Sequence, residues 1–152
     1  MASAVLMMDV KKHKSEAVTF DVTHKPIKPI LESKPKWRDI EYRQEYMECA
    51  THQTIAWQIK INREKRGLTQ NNLAKLIGTT QSGISRAEDI EYGKHNLATL
   101  LKIANAFDCA LVVNFVSYSE LAYQSHKLSE DDLYAPAYSE ESSSIKFIQD
   151  QK

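Results

Sequence analysis

The stretch Leu68–Glu88 (LTQNNLAKLIGTTQSGISRAE) constrains the fold of this chain more than any other part of it. Thr69 is a good N-cap, because its hydroxyl can accept a hydrogen bond from a backbone N–H of the first helical turn. The apolar residues that follow recur at three- and four-residue spacing and form one stripe: Leu73, Leu76 and Ile77. Gly78 comes next, where a helix often ends with a positive φ. The pattern therefore predicts a short helix between Thr69 and Gly78.

A second short helix is predicted directly after that glycine. Thr79-Thr80 gives a new polar start, and Gln81–Glu88 forms a helix with Ile84 pointing inward. Ala74 lies where the two helices cross most closely, so a larger side chain there would push them apart. Two short helices joined by about four residues with a glycine form a helix-turn-helix, whose second helix can enter the DNA major groove.

The order of residues in and around this stretch resembles the phage-repressor and Cro-like helix-turn-helix family, also called the xenobiotic-response-element family. The matching positions are Leu68-Thr69-Gln70, Leu73-Ala74, Gly78, Gln81-Ser82, Ile84-Ser85-Arg86, Glu88, Ile59, Arg63 to Gly67, and Leu97 to Ala104. They cover roughly 60 residues, a normal size for a small domain. The resemblance implies a mainly α fold with a five-helix helix-turn-helix domain, which we place at residues 51–108.

Two residues depart from the pattern of that family. Asn62 lies where the first helix of the family usually has a large apolar residue, and Ala87 lies where the recognition helix usually has one. Each departure is expected to weaken the local core unless a neighbour fills the space, since lost buried volume and unpaired polar groups both cost free energy.

The outward face of the second helix has the chemistry to read base edges in double-stranded DNA. A glutamine amide such as that of Gln81 can pair with adenine N6 and N7, whereas the guanidinium of Arg86 prefers guanine O6 and N7. In the resembling family, the glutamine matching Gln70 contacts a phosphate and supports the recognition glutamine, and the loop holding Lys94 and Asn96 approaches the DNA backbone. The predicted DNA-binding residues are Gln70, Thr80, Gln81, Ser82, Ser85, Arg86, Lys94 and Asn96.

Several of these residues have a purely structural alternative. Arg86 can instead form an ion pair with Glu88 or Asp89, and Gln81 and Ser82 can serve only as helix-start residues. Further basic residues either hold the DNA backbone or simply solvate the surface: Arg63, Lys65 and Lys75.

The charge of the chain is zero overall and unevenly distributed. Residues 55–115 hold eight basic and five acidic side chains, a net charge of +3, whereas the residues after 115 hold three basic and seven acidic ones, a net charge of −4. A basic centre suits phosphate contacts, and the acidic C-terminal part can weaken non-specific DNA binding or contact another protein.

The segments outside the domain carry weaker signals. Residues 1–36 lack sustained periodicity and are predicted to be a flexible, mildly basic arm, either disordered or tracking DNA phosphates. Apolar residues among charges predict an amphipathic helix at 37–50, packed on the domain or against a second copy. A separate helix is expected to begin at Thr51 or Thr54. Residues 119–152 are predicted to be an acidic, largely irregular tail.

Residues 109–118 contain the most strand-like sequence of the chain, which is short, β-branched and aromatic. A lone strand cannot satisfy its own backbone, so it must pair with another segment. The candidates are Val18–Val22, which alternates as a strand would, and the same strand of a second copy. We expect the second copy, because dimeric readers of paired half-sites need an interface.

Composition and motifs argue against a membrane protein and against an enzyme. No apolar run approaches the length that spans a bilayer, the N-terminus lacks the basic region of a signal peptide, and two cysteines fit a reduced cytoplasmic protein. The sequence has no glycine-rich phosphate loop, HExxH motif or nucleophile elbow. A metal site formed by Cys49, His52, Cys109 and His126 would need distant segments to converge, so no metal or cofactor is expected. His95 is expected to be exposed.

The residues and the resemblance together predict a sequence-specific double-stranded DNA-binding transcriptional regulator. We expect a repressor that acts as a homodimer on a pseudo-palindromic operator. One alternative is the antitoxin of a toxin–antitoxin pair, whose flanking segments would bind a toxin. The other is a helix-turn-helix module that binds a protein partner rather than DNA. The polar outward face of the second helix favours DNA.

Overall fold

The computed structural model describes residues 4–6, 18–20, 35–126 and 128–142 of the chain. Its elements are β1 (Ala4–Leu6), β2 (Val18–Phe20), a 3-10 helix (Pro35–Arg38), α1 (Ile40–Lys65), α2 (Gln70–Ile77), α3 (Gln81–Ala87), α4 (Leu97–Ala106), α5 (Tyr118–Ser125) and α6 (Glu130–Leu133). A last helical segment covers residues 138–142. The predicted mainly α class is confirmed. Among these helices, none combines the length and the apolar character that crossing a bilayer requires.

The two strands form an antiparallel pair near the N-terminus. The strand predicted at Val18–Val22 is therefore present as β2, whereas residues 21 and 22 lie outside the described residues. Its partner is β1 and not the segment 109–118 of the same chain. The rest of the predicted arm at 1–36 also lies outside the described residues, except for its last two residues, which begin the 3-10 helix.

One uninterrupted helix, α1, takes the place of the two helices predicted for its part of the chain. Asp39 is its N-cap, and the side chain accepts a hydrogen bond from the backbone N–H of Glu41 at 2.9 Å. The prediction of a helix at 37–50 followed by a new start at Thr51 or Thr54 is wrong. No glycine or proline interrupts this sequence, so the helical hydrogen bonds continue through both threonines.

An aromatic cluster joins the N-terminal end of α1 to α5. Trp37 is buried, and its ring centroid lies 4.8 Å from that of Tyr46 and 6.3 Å from that of Tyr118. The guanidinium of Arg43 donates a hydrogen bond to the carbonyl oxygen of Trp37 at 2.8 Å. This end of α1 therefore packs against the chain's own α5.

The core of the domain lies where α1, α2, α3 and α4 meet. Its buried residues are Ile59, Leu73, Ala74, Ile77, Ile84, Ala87, Ile103 and Phe107. The span 51–108 thus holds four helical segments and not the five expected, because residues 88–96 form no further helix between α3 and α4. Leu76 departs from the predicted apolar stripe and is 61% exposed. The side of α2 that faces the core is formed by its buried residues, which are Leu73, Ala74 and Ile77.

The ends of α2 and α3 lie where the sequence predicts them. The hydroxyl of Thr69 accepts a hydrogen bond from the backbone N–H of Asn72 at 3.1 Å, and Gly78 ends α2 with a φ of 70°. The hydroxyl of Thr80 accepts from the backbone N–H of Gly83, also at 3.1 Å. These bonds satisfy N–H groups that lack a partner within the helix. They fix where α3 begins and therefore which side chains it exposes.

Asn62 joins α1 to the C-terminal part of the chain. Its Nδ2 donates to the carbonyl oxygens of Gln58 and Leu133, both at 2.8 Å. Its Oδ1 accepts from Nη1 of Arg66 and from the backbone N–H of Ala135, both at 2.9 Å. The departure from the family pattern at Asn62 therefore leaves no unpaired polar group, because the buried side chain is fully hydrogen-bonded.

The prediction of a largely irregular tail at 119–152 is wrong over the described residues. Besides forming α5 and α6, this part of the chain contacts the domain through Arg66 and through Leu133, which is buried. Nη2 of Arg66 donates to the carbonyl oxygens of Phe107 at 2.9 Å and Ala135 at 2.7 Å. The second contact joins residues 69 positions apart in the sequence, so a local pattern could not reveal it.

The strand predicted at 109–118 is not present in the single chain. Residues 109–117 contain no helix, turn or bend, and within the described residues 110–116 make no backbone hydrogen bond. Since β2 pairs with β1, the described residues offer this segment no strand to join. Ser117 then caps α5 by accepting a hydrogen bond from the backbone N–H of Glu120.

Candidate nucleic-acid interface

The exposed face of α3 carries a compact group of polar side chains. Ile84 and Ala87 anchor the other face of this helix in the core, where they are 1% and 7% exposed. The position of these two anchors leaves four side chains in solvent: Gln81, Ser82, Ser85 and Arg86. Thr80 lies at the start of the same helix as its N-cap. Five of the predicted DNA-binding residues therefore lie together.

Gly83 allows the first turn of α3 to pack against the residues before it. A Cβ at this position would lie 2.9 Å from the hydroxyl oxygen of Thr79 and 3.4 Å from that of Thr80. A larger residue would therefore require these side chains to shift. The sequence indicates only that the glycine adds no bulk towards DNA, and the packing role depends on the fold.

A series of hydrogen bonds connects α3 to α1 through α2. Nε2 of Gln81 donates to Oε1 of Gln70 at 2.6 Å, and Nε2 of Gln70 donates to Oε2 of Glu88 at 2.9 Å. Glu88 also accepts two hydrogen bonds from the guanidinium of Arg63, one of them from Nη2 at 2.9 Å. The exposed amide of Gln81 is therefore oriented, through Gln70, by an ion pair inside the domain.

The ion pair between Arg63 and Glu88 is buried. The two side chains are 10% and 4% exposed, and Nη1 of Arg63 also donates to the carbonyl oxygen of Leu68 at 2.8 Å. The hydrogen bond to Glu88 is the main reason that the pKa of the Arg63 guanidinium is raised. The expectation that Arg63 holds the DNA backbone or solvates the surface is wrong, because its charge is neutralised inside the domain.

Arg86 makes no ion pair with the described residues. Glu88, one of the two carboxylates considered as its partner, binds Arg63 instead. The guanidinium of Arg86 lies over the ring of Tyr92, 5.8 Å from its centroid, and the side chain stays exposed. The charge of Arg86 is therefore available to an anionic ligand.

The loop between α3 and α4 is held from two sides. Nε2 of His95 donates to the carbonyl oxygen of Ala87 at 2.8 Å, at the end of α3. Gly93 has a φ of 57° and lies so close to α1 that a Cβ there would be 2.7 Å from Nδ1 of His52. The expectation that His95 is exposed is wrong. Its ring is half-buried and connects the loop to α3.

Lys94 and Asn96 lie beside a pocket of about 150 Å³ between α3 and the start of α4. Asn96 is the N-cap of α4, and its Oδ1 accepts a hydrogen bond from the backbone N–H of Thr99 at 2.8 Å. Its Nδ2 and the exposed ammonium of Lys94 remain as donors. A phosphate at this edge would meet both groups and the positive end of the α4 dipole.

The acidic C-terminal part docks on another side of α1. Nζ of Lys65 lies 2.9 Å from Oδ1 of Asp131, and this hydrogen bond raises the pKa of Lys65. Lys65 follows Arg63 by two residues, which places it about 200° further around the helix axis. The carboxylates of α6 therefore lie away from the side of α1 that faces Glu88 and α3. Asp131 pairs with Lys65, one of the lysines that the sequence suggests as a contact to the DNA backbone.

The described residues contain no group of three or more side chains placed to hold a metal ion. Among the four potential metal ligands of the sequence, Cys49 is exposed and Cys109 is half-buried. Burial raises the pKa of the Cys109 thiol.

Comparison with known proteins gives one match. The helix-turn-helix family model matches residues 59–113, and no curated protein and no solved structure matches the chain. The matched segment begins in the C-terminal half of α1, contains α2, α3 and α4, and covers every predicted DNA-binding residue. The resemblance seen in the sequence is confirmed over residues 59–113, where the chain matches the helix-turn-helix family model and is similar to the phage-repressor and Cro-like proteins.

Proposed function

We propose that the chain is a sequence-specific double-stranded DNA-binding transcriptional regulator. It acts as a repressor and binds a pseudo-palindromic operator as a dimer, with the two copies of α3 in major grooves about 34–36 Å apart. The observation that carries this proposal is the position of Gln81, which is exposed to solvent and yet oriented by Gln70, Glu88 and Arg63. An oriented amide loses little conformational freedom when it pairs with a base edge.

The hydrogen-bonding groups that Gln81 leaves unused match adenine. One N–H of its amide donates to Gln70, which leaves the second N–H and both lone pairs of Oε1. A donor and an acceptor on one amide pair with N7 and N6 of adenine in the major groove. We therefore assign Gln81 to an adenine, Arg86 to a guanine or a phosphate, and Ser82 and Ser85 to neighbouring groups.

Binding of a protein in place of DNA is less well supported by the surface of α3. Its exposed side chains are hydroxyls, an amide and a guanidinium, all of which prefer hydrogen-bonding partners. The core of a protein–protein interface is instead depleted of charge and rich in apolar and aromatic side chains. The polar surface of α3 is therefore better matched to base edges and phosphates.

Replacing Gln81 by alanine is expected to weaken specific DNA binding by about 1–3 kcal/mol and to relax the choice of base at one position of each half-site. Binding is measured by fluorescence anisotropy after selection of bound sites from random oligonucleotides. The control is Gln44→Ala, which removes an exposed glutamine of α1 and should leave affinity and site choice unchanged. Unchanged specificity in Gln81→Ala would show that α3 does not read bases.

Replacing Lys94 by alanine is expected to weaken binding to all DNA sequences equally. Each phosphate contact that is lost reduces the magnitude of the negative slope of log K against log salt by about 0.9, and a bound dimer loses one contact from each subunit. Lys60→Ala, which removes an exposed lysine from α1, serves as the matched control and should leave the slope unchanged. A salt titration that gives the same slope for both variants would place Lys94 outside the interface.

A further inference from the structure

A second surface of the chain, residues 110–116, is apolar and exposed. We call it the apolar segment. Val112 and Val113 are 77% and 72% exposed, and Phe115 is fully exposed. No charged residue occurs between Asp108 and Glu120. Large apolar side chains that are exposed next to one another on a surface often mark an interaction site.

The backbone of the apolar segment is also without backbone hydrogen-bonding partners among the described residues. β-branched and aromatic residues with unpaired backbone groups form a ready edge for another chain, and proteins usually protect such an edge with charges or prolines. The apolar segment has neither.

Both ends of the apolar segment are held by the folded domain. The backbone N–H of Cys109 donates to the carbonyl oxygen of Ala104 at 3.1 Å, and the backbone N–H of Tyr138 donates to the carbonyl oxygen of Asp108 at 2.9 Å. At the other end, Ser117 caps α5. The segment is therefore presented from fixed points, directly after the last helix of the helix-turn-helix.

We propose that the apolar segment is the surface through which a second copy of this chain binds, with the two segments antiparallel across a two-fold axis. An antiparallel pair of identical runs places each residue opposite a residue of the same run, so an uncharged segment complements itself without like-charge contacts. The pairing supplies backbone hydrogen bonds that the described residues of the single chain do not provide. This inference deepens the proposed function and rests on it for its role, which is to set the spacing of the two α3 helices.

The test begins with the mass of the full chain over a concentration series, measured by sedimentation. Wild-type protein should dimerise, and Phe115→Asp should raise the dissociation constant of the dimer at least tenfold. Phe115 is fully exposed in the single chain, so the variant should keep the circular dichroism and melting temperature of the wild type. A monomeric wild type, or an unchanged dimer in Phe115→Asp, overturns the proposal.

The matched control is Ile40→Asp, which places the same charge at a large apolar residue that is 59% exposed at the start of α1. This variant should keep the dissociation constant of the wild-type dimer. If Ile40→Asp dissociates the dimer and Phe115→Asp does not, the interface lies on α1 and the proposal is overturned. An apolar segment that binds a different protein would leave the wild type monomeric on its own, which also overturns the proposal.

Cysteine cross-linking tests the antiparallel arrangement separately. In a Cys49→Ser, Cys109→Ala background, single substitutions from Val112→Cys to Val116→Cys should give disulfide-linked dimers with a maximum at the position nearest the two-fold axis. Equal cross-linking at every position overturns the arrangement.

A duplex with one half-site separates this inference from the proposed function: Phe115→Asp should bind it as the wild type does and lose only the tighter binding to the full site. A dimer that binds no DNA would contradict the proposed function alone.

Discussion

Replacing Arg63 by methionine is expected to lower the free energy of unfolding by about 3 kcal/mol. Methionine keeps most of the apolar volume but leaves the carboxylate of Glu88, which is 4% exposed, with Gln70 as its remaining hydrogen-bond donor. A buried charge without its partner costs far more than the ion pair itself contributes. Urea unfolding followed by circular dichroism measures the change.

The chain offers a matched control for this prediction on the same arginine. Glu64 also forms an ion pair with Arg63, at 3.3 Å, but its side chain is 53% exposed. Glu64→Ala should therefore change the free energy of unfolding by less than about 1 kcal/mol. Arg63→Met combined with Glu88→Leu removes both charges and should recover most of the loss. Equal effects of Arg63→Met and Glu64→Ala would contradict the importance of burial.

Replacing Asn62 by leucine is expected to destabilise the fold by about 2–4 kcal/mol, although leucine is the kind of residue that the family usually has there. The substitution leaves the carbonyl oxygen of Leu133 and the backbone N–H of Ala135 without their partner, and it removes one acceptor from Arg66. Unfolding in urea gives the stability. Limited proteolysis should show faster cleavage between α5 and residue 142.

Asn105→Leu is the control for this prediction. Asn105 is exposed on α4, and the described residues include no hydrogen bond to its side chain, so its replacement should leave stability and proteolysis nearly unchanged. If Asn62→Leu were as stable as the wild type, the C-terminal part would not be held by the bonds to Asn62, and the packing of the tail would have to come from Leu133 and Arg66 alone.

The features that the sequence predicts correctly depend on neighbouring residues. Thr69, Gly78 and Thr80 bound α2 and α3 because capping involves groups only three or four residues away. The same holds for the inward position of Ile84, which follows from helical spacing once the helix start is known. Exposure of Gln81 and Arg86 follows in turn, so the outer surface of α3 can be predicted from the sequence.

The features that the sequence does not predict depend on residues that are distant along the chain. Arg63 and Glu88 are 25 positions apart, and Asn62 and Leu133 are 71 positions apart. No spacing rule relates such pairs. Glu88 is one of the positions that match the family, which marks it as a residue of interest, but its hydrogen bond to Gln70 is formed only in the folded chain.

The continuity of α1 illustrates a different limit. Threonines can begin a helix, and for this reason Thr51 and Thr54 are plausible starts in the sequence. A threonine in the middle of a helix has the same sequence signature, and only the absence of a preceding break distinguishes the two. The strand at 109–118 is predicted from residue preference, which describes the segment but cannot supply the neighbour that a strand needs.

The four bonds of Asn62 change what counts as the smallest folding unit of this protein. A fragment cut at residues 59 and 113, where the family match ends, would begin midway along α1 and would lack Leu133 and Ala135. Its asparagine would then face an open apolar groove instead of a docked chain. We therefore expect a stable fragment of this chain to extend at least from the start of α1 to residue 142, well beyond the matched helix-turn-helix.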